Sequence, residues 1–268
     1  MHTMPVYQNP YHEFDGAAPA GLKLHLLGIA NPEVAKLVPT LSPFSAKLKA
    51  YLRFQGIAHQ DVAENGLAGA PRVKVPFLSA DGVRLADSAL IIDHLKALYP
   101  DPDAHLTAQQ RAIGLMVQRA LEDHLYWIIL YYEFFDPAGT AWFFEQQFGA
   151  MAGSLQGLRD DFVNRTYLQG ISRYSPQEVI EKANRDLDAV AEILGAHRYL
   201  LGTDEPTSFD AAVFGMTVIM FQLSPMHPEI TAHARSLPNL RTYMANLLTN
   251  FFPELTLAFD VGTGREIV

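Results

Sequence analysis

At Pro100-Asp101-Pro102 the hydrophobic period of this chain changes, and the two sides of that break demand different architectures. Upstream, Leu22-Lys23-Leu24-His25-Leu26-Leu27 alternates as a strand does. Ser42-Pro43 then opens a helix, because serine caps free N–H groups and proline is tolerated at the first helical position. That helix runs through Lys47, Leu48, Tyr51 and Leu52 to Gly56, a C-terminal stop. Ile57–Val62 reads as a second strand, and Glu64–Arg72 as a short irregular piece. Strands at Val75–Leu78 and Val83–Leu85 follow, with Asp81-Gly82 as the hairpin turn between them. Asp87-Ser88 starts another helix carrying Leu90, Ile91, His94, Leu95 and Leu98. The order β-α-β-(short helix)-β-β-α over residues 22–99 predicts a thioredoxin-like α/β unit.

Downstream the period is helical. Leu106, Ile113, Met116, Ala120, Trp127 and Tyr131 fall near one face of a long helix. Ser175-Pro176-Gln177-Glu178 is a capping-box start, and Thr207-Ser208-Phe209-Asp210 opens the apolar helix Ala211–Leu223. Leu237-Pro238-Asn239-Leu240 begins the last helix. The expected organisation is an extended arm (1–21), the α/β domain (22–99), an all-helical domain (104–255) and a loose tail (256–268).

Composition narrows the function. The 268 residues are 49% hydrophobic, which fills real cores and excludes wholesale disorder. There is no cysteine, so disulfides, thiolate metal sites and a cysteine nucleophile are excluded. Ten scattered histidines show no metal-ligand spacing, so no metal is expected. A net charge of −9 argues against nucleic acid, whose affinity comes largely from basic groups on phosphate. The charge divides unevenly: nine bases and six acids in 22–99, eleven bases and twenty-one acids in 100–268. The mildly positive small domain suits a small anionic ligand, although so short a segment also reaches that balance by chance. The longest apolar runs, Leu125–Tyr132 and Ala211–Phe221, are too short for a membrane helix, and the N-terminus lacks a signal-peptide pattern. A soluble cytoplasmic protein without a membrane partner is the expectation.

Three clusters of the α/β domain carry the chemistry: Leu41-Ser42-Pro43-Phe44-Ser45-Ala46-Lys47-Leu48, Lys74-Val75-Pro76-Phe77-Leu78 and Ala86-Asp87-Ser88-Ala89-Leu90-Ile91. With Leu121-Glu122-Asp123-His124-Leu125-Tyr126-Trp127, Tyr174-Ser175-Pro176-Gln177-Glu178, Leu200-Leu201-Gly202 and Thr207–Ala212, the chain resembles the glutathione transferase superfamily over residues 22–253. The likeness is nearest to the branch of failed-axon-connections and metaxin-like proteins and their bacterial relatives. It implies a thioredoxin-like N-terminal domain followed by an all-α domain, with glutathione as co-substrate. It also implies a cis Val75-Pro76 bond, with Val75 pairing to the cysteinyl part of glutathione. Asp87 and Ser88 would receive the γ-glutamyl end at a helix start, where free N–H groups and the helix dipole favour a carboxylate. Lys74 and Arg72 are candidates for the glycyl carboxylate, though solvation is the commoner fate of such residues.

Glutathione's sulfur would lie at the start of the first long helix, which favours thiolate. Ser42 is the first candidate to hydrogen-bond it and Ser45 the second; the plain alternatives are that Ser42 only caps and Ser45 only packs. Relatives often carry cysteine at one of these positions. Serine at both disfavours mixed-disulfide chemistry and leaves attack by the bound thiolate on an electrophile, or binding without turnover. Phe44, Tyr126, Trp127 and Tyr131, with Tyr132, are candidates to line a pocket for a hydrophobic electrophile, or equally to pack. Tyr7, Tyr11 and His12 in the arm are candidates to fold over the cleft or a dimer partner. The expected function is a glutathione transferase acting as a homodimer. The alternatives are a non-catalytic metaxin-like interaction module and a glutathione-dependent lyase or isomerase.

Overall fold

In strand β1 (Lys23–Leu27) the alternation sends Leu24 and Leu26 into the core and leaves Lys23 exposed. The computed structural model describes residues 19–268 except 65 and 68. The arm residues Tyr7, Tyr11 and His12 therefore lie outside the described residues. Strand β2 (Gln60–Glu64) runs parallel to β1, and β3 (Phe77–Ala80) antiparallel to its other side. Strand β4 (Val83–Leu85) closes a hairpin with β3, giving the sheet order β2-β1-β3-β4. Asp81 and Gly82 both take positive φ, the conformation a two-residue hairpin turn requires.

A short helix α1 (Pro32–Ala35) precedes α2 (Pro43–Phe54), and α3 (Ser88–Leu98) follows the sheet. This is the expected thioredoxin-like unit, with strands β2 and β3 starting slightly later than the apolar pattern suggests. Backbone pairing decides those limits. Among the described residues between β2 and β3 there is only a 3-10 turn, at Pro71–Val73.

The rest is helical, as expected. Helix α4 (Ala108–Ala120) continues through a π turn at Leu121–Leu125, α5 (Tyr126–Leu130) and a second π turn at Tyr131–Phe135. Then come α6 (Pro137–Phe148), α7 (Gln156–Gln169), α8 (Pro176–Leu194), α9 (Ser208–Gln222), α10 (Pro228–Ser236) and α11 (Pro238–Phe251). Every residue of α9 is buried, so it forms the axis of the helical domain. Its capping box is built as the sequence indicates: Asp210 accepts hydrogen bonds from Thr207 N–H and Oγ1. The same carboxylate also accepts from Leu200 N–H and Tyr243 Oη.

Helix α9 lies directly against α2. A Cβ on Gly215 would stand 2.5 Å from the Lys47 backbone nitrogen, so only glycine permits this approach. The two domains thus share a wall, and α2 is buried along most of its length.

Two expectations are corrected. Met116 is 68% exposed, and the buried positions of α4 are instead Gly114 and Val117, continued by Leu121, Leu125 and Ile128. The Phe209 ring presses on Gly114, where a Cβ would meet it at 2.5 Å, and this turns Leu115 and Met116 outward. Nor is the tail loose. Phe259 is fully buried beside Phe221, and Arg241 donates to the carbonyls of Val261 and Gly262. These anchors have no periodicity, which is why an apolar pattern does not show them. No helix of the described residues is long and apolar enough to cross a membrane.

Candidate functional site

Two of the three sequence clusters sit at helix starts, Ser42 at α2 and Asp87 at α3, and the third carries the Val75–Pro76 bond. Ser42 is the N-cap of α2, and its Oγ accepts from Ser45 N–H at a long 3.5 Å. Pro43, at the first helical position, has no N–H to satisfy, and Ser42 Oγ serves the first turn through Ser45 N–H. Ser45 points inward instead. It is fully buried, and its Oγ has no hydrogen-bond partner.

The Val75–Pro76 bond is cis, as is Ala86–Asp87. Pro76 is buried, Val75 half-buried, and Lys74 exposed without an ion pair among the described residues. Asp87 caps α3: its Oδ1 accepts from Ala89 N–H at 3.2 Å, and Oδ2 lies 3.5 Å from Arg72 Nη1. Ser88 is buried beneath it. Arg72 is therefore associated with Asp87, next to where the other end of a tripeptide is expected.

The helical domain meets the start of α2. The Phe44 and Tyr126 rings meet edge to face, with centroids 4.8 Å apart, and Trp127 lies 6.1 Å beyond Tyr126. Tyr131 is not brought to that contact: it is buried against Tyr132 and Phe135. Tyr132 packs edge to face on His227, whose pKa burial lowers to about 4.

Two acids in this region escape a motif search. Glu122 accepts from Lys47 Nζ at 2.5 Å, a buried ion pair across the domain boundary, and also from Gln118 Nε2 at 3.0 Å. Glu133 has no ionic partner among the described residues, and burial raises its carboxyl well above the usual range. Its charge in turn opposes ionisation of Tyr126, which burial already disfavours. The signal in the sequence was a lone acid inside the aromatic run Tyr131-Tyr132-Glu133-Phe134-Phe135. Among the described residues no group of three acidic or histidine side chains is placed to hold a metal ion.

What the arrangement offers a ligand is specific. A serine-capped helix start, a capping carboxylate beside a cation, and an aromatic pair drawn from both domains are the groups available to it. Models of the glutathione S-transferase N-terminal and C-terminal domains match residues 43–139 and 183–247. The isoprene-epoxide–glutathione S-transferase of Rhodococcus sp. (strain AD45) is 30% identical over 223 residues, covering 78% of this chain and 92% of that protein. Failed axon connections of Drosophila melanogaster is 27% identical over 81% of this chain, which spans 56% of that protein's length. Metaxin-1 of Bos taurus is 26% identical, covering 81% of this chain and 72% of that one. In fold, a glutathione transferase family member from Pseudomonas fluorescens pf-5 with two glutathione bound superposes with a TM-score of 0.56 at 14% identity. That alignment covers 91% of this chain and 96% of the other.

Proposed function

The chain belongs to the glutathione S-transferase superfamily, and we propose that it is a glutathione transferase that adds a bound glutathione thiolate to a hydrophobic electrophile. The observation that carries this reading is the meeting of the Ser42-capped start of α2 with the Phe44–Tyr126 pair at the domain boundary. Val75, before the cis bond, pairs with the cysteinyl backbone of glutathione. Asp87 and Ser88 take the γ-glutamyl end at the start of α3, and Lys74 meets the glycyl carboxylate.

The sulfur then lies at the first turn of α2. The helix end and the Ser42 hydroxyl, donating a hydrogen bond, stabilise the thiolate. Ser45, buried under the same turn with a free hydroxyl, is the second candidate for that bond. Phe44, Tyr126 and Trp127 supply an apolar surface for the electrophile. The Rhodococcus relative favours an epoxide as the electrophile. The thiolate attacks a ring carbon, a C–S bond forms as the C–O bond breaks, and the alkoxide takes a proton from solvent. Detoxification of such electrophiles in the cytoplasm, by a homodimer, completes the reading. Leu115 and Met116, exposed on α4, are apolar surface that a second copy would cover.

Likeness to the metaxins and to Failed axon connections supports a second reading, a non-catalytic interaction module. Titration calorimetry with glutathione separates the two. Binding is expected in the millimolar range or tighter, and its absence sinks the transferase. Ser42→Ala is expected to lower conjugation of a model epoxide about tenfold or more, a loss of one hydrogen bond in the transition state, with affinity little changed. Unchanged turnover transfers the role to Ser45 or to backbone N–H groups.

A further inference from the structure

The face of the sheet opposite the helices mixes apolar side chains, among them the buried Phe77, with polar ones. The alternation that buries Leu24, Leu26, Leu78, Ala80 and Leu85 on one face places Lys23, His25, Glu64, Phe77, Ser79 and Arg84 on the other. Three of these form a continuous relay. Ser79 Oγ lies 2.7 Å from His25 Nε2, and His25 Nδ1 lies 2.6 Å from Glu64 Oε1. In the neutral ring, with Nδ1–H donating to the carboxylate, Nε2 is left to accept from the serine hydroxyl. The ring is held in that orientation by stacking on Phe77, with centroids 4.0 Å apart and planes within 9°.

From this geometry we propose a second activity, independent of glutathione: hydrolysis of small carboxylic esters, with Ser79 as nucleophile, His25 as general base and Glu64 as the positioning carboxylate. The relay has the roles that define nucleophilic serine catalysis on any fold. It also opens on a depression of about 520 Å³ lined by His25, Ser79, Lys23, Arg84 and Asp81, within the size range of ligand sites. Ser79 faces Lys23 across β1 and Arg84 across β4. Lys23 has no ion pair among the described residues, and Arg84 is steadied by Gly69 O at 2.6 Å and by the Phe77 ring. The strand's N–H groups are committed to the sheet, so these two cations stabilise the oxyanion in place of backbone donors. They also favour esters whose acyl part carries an anionic group.

Ser79 Oγ attacks the carbonyl carbon while its proton passes to His25 Nε2. Collapse breaks the acyl C–O bond, and the alcohol leaves with that proton. A water molecule, deprotonated by the same nitrogen, attacks the acyl-serine. The carboxylic acid departs and Ser79 regains its proton.

The test is hydrolysis of p-nitrophenyl acetate and of the mono-p-nitrophenyl ester of succinic acid by the full chain, without glutathione. Thermal melts of each variant establish that it is folded. Ser79→Ala and His25→Gln are each expected to lower kcat/KM about 100-fold, the scale of general-base assistance. Glu64→Gln should lower kcat with KM unchanged, and Lys23→Gln should abolish the preference for the succinyl ester. A folded Ser79→Ala protein that hydrolyses both esters at the unmodified rate overturns the proposal. Glutathione affinity plays no part in this assay, so its outcome is separate from that of the transferase reading.

Discussion

The two π turns of the long helix each bury one glutamate, and the two glutamates live in opposite electrostatic worlds. Glu122, in the turn Leu121–Leu125, is paired with Lys47 from the other domain and supported by Gln118. Glu133, in the turn Tyr131–Phe135, has aromatic neighbours and no ionic partner among the described residues, and burial holds its proton on. Depth is nearly the same in the two sites, with both residues 5–6% exposed. What differs is the partner, so burial alone does not decide the charge of a carboxyl. π turns cluster at functional sites. Here one ties α2, whose first turn carries the serine pair, to the helical domain. The other lies two turns beyond Tyr126 on the same helix.

The largest expected effect comes from breaking the paired site. Glu122→Ala leaves the Lys47 ammonium buried without a counter-charge, a loss of about 3–5 kcal/mol in denaturant unfolding. The double variant Lys47→Met, Glu122→Leu should recover most of that loss, because it removes both charges and keeps the volume. Equal losses in the single and double variants would mean that packing, not charge, dominates the site.

A smaller effect is expected from the backbone that brings Lys47 into place. Gly215→Ala puts a methyl 2.5 Å from the Lys47 nitrogen, and neither backbone can yield without parting α2 from α9. Overpacking of this kind costs about 1–3 kcal/mol. Because the two sites share Lys47, Gly215→Ala and Glu122→Ala should combine non-additively in a double-mutant cycle. Strict additivity would show that the pair tolerates a displaced α2.

Much of this was legible before the structure, for identifiable reasons. Alternation at Leu22–Leu27, the Ser42-Pro43 start and the two capping boxes are local signals, and local signals survive in one sequence. The Ser42–Ser45, Val75–Pro76 and Asp87–Ser88 clusters were legible as ordered motifs. The face of α4 was not, because Phe209, far along the chain, settles it by pressing on Gly114. Nor were Lys47–Glu122 or His25–Glu64–Ser79. Their members are isolated in sequence and meet only when strands take register and domains dock.

The smallest effect in magnitude has the clearest sign. Glu133 holds its proton in the folded protein above the pH at which an unfolded glutamate, near 4.5, releases it. Between those two points the native state carries the extra proton, so its stability falls as pH rises through the window. Glu133→Gln replaces a neutral acid by a neutral amide of the same shape. Near pH 4 the two proteins should differ by no more than about 1 kcal/mol, since one poorly satisfied polar group replaces another. As pH rises toward 7 the difference should move in favour of the glutamine form. Urea unfolding of the unmodified chain and of Glu133→Gln at several pH values reads this directly. Parallel curves for the unmodified chain and Glu133→Gln would place a counter-charge beside Glu133 and erase the contrast between the two turns.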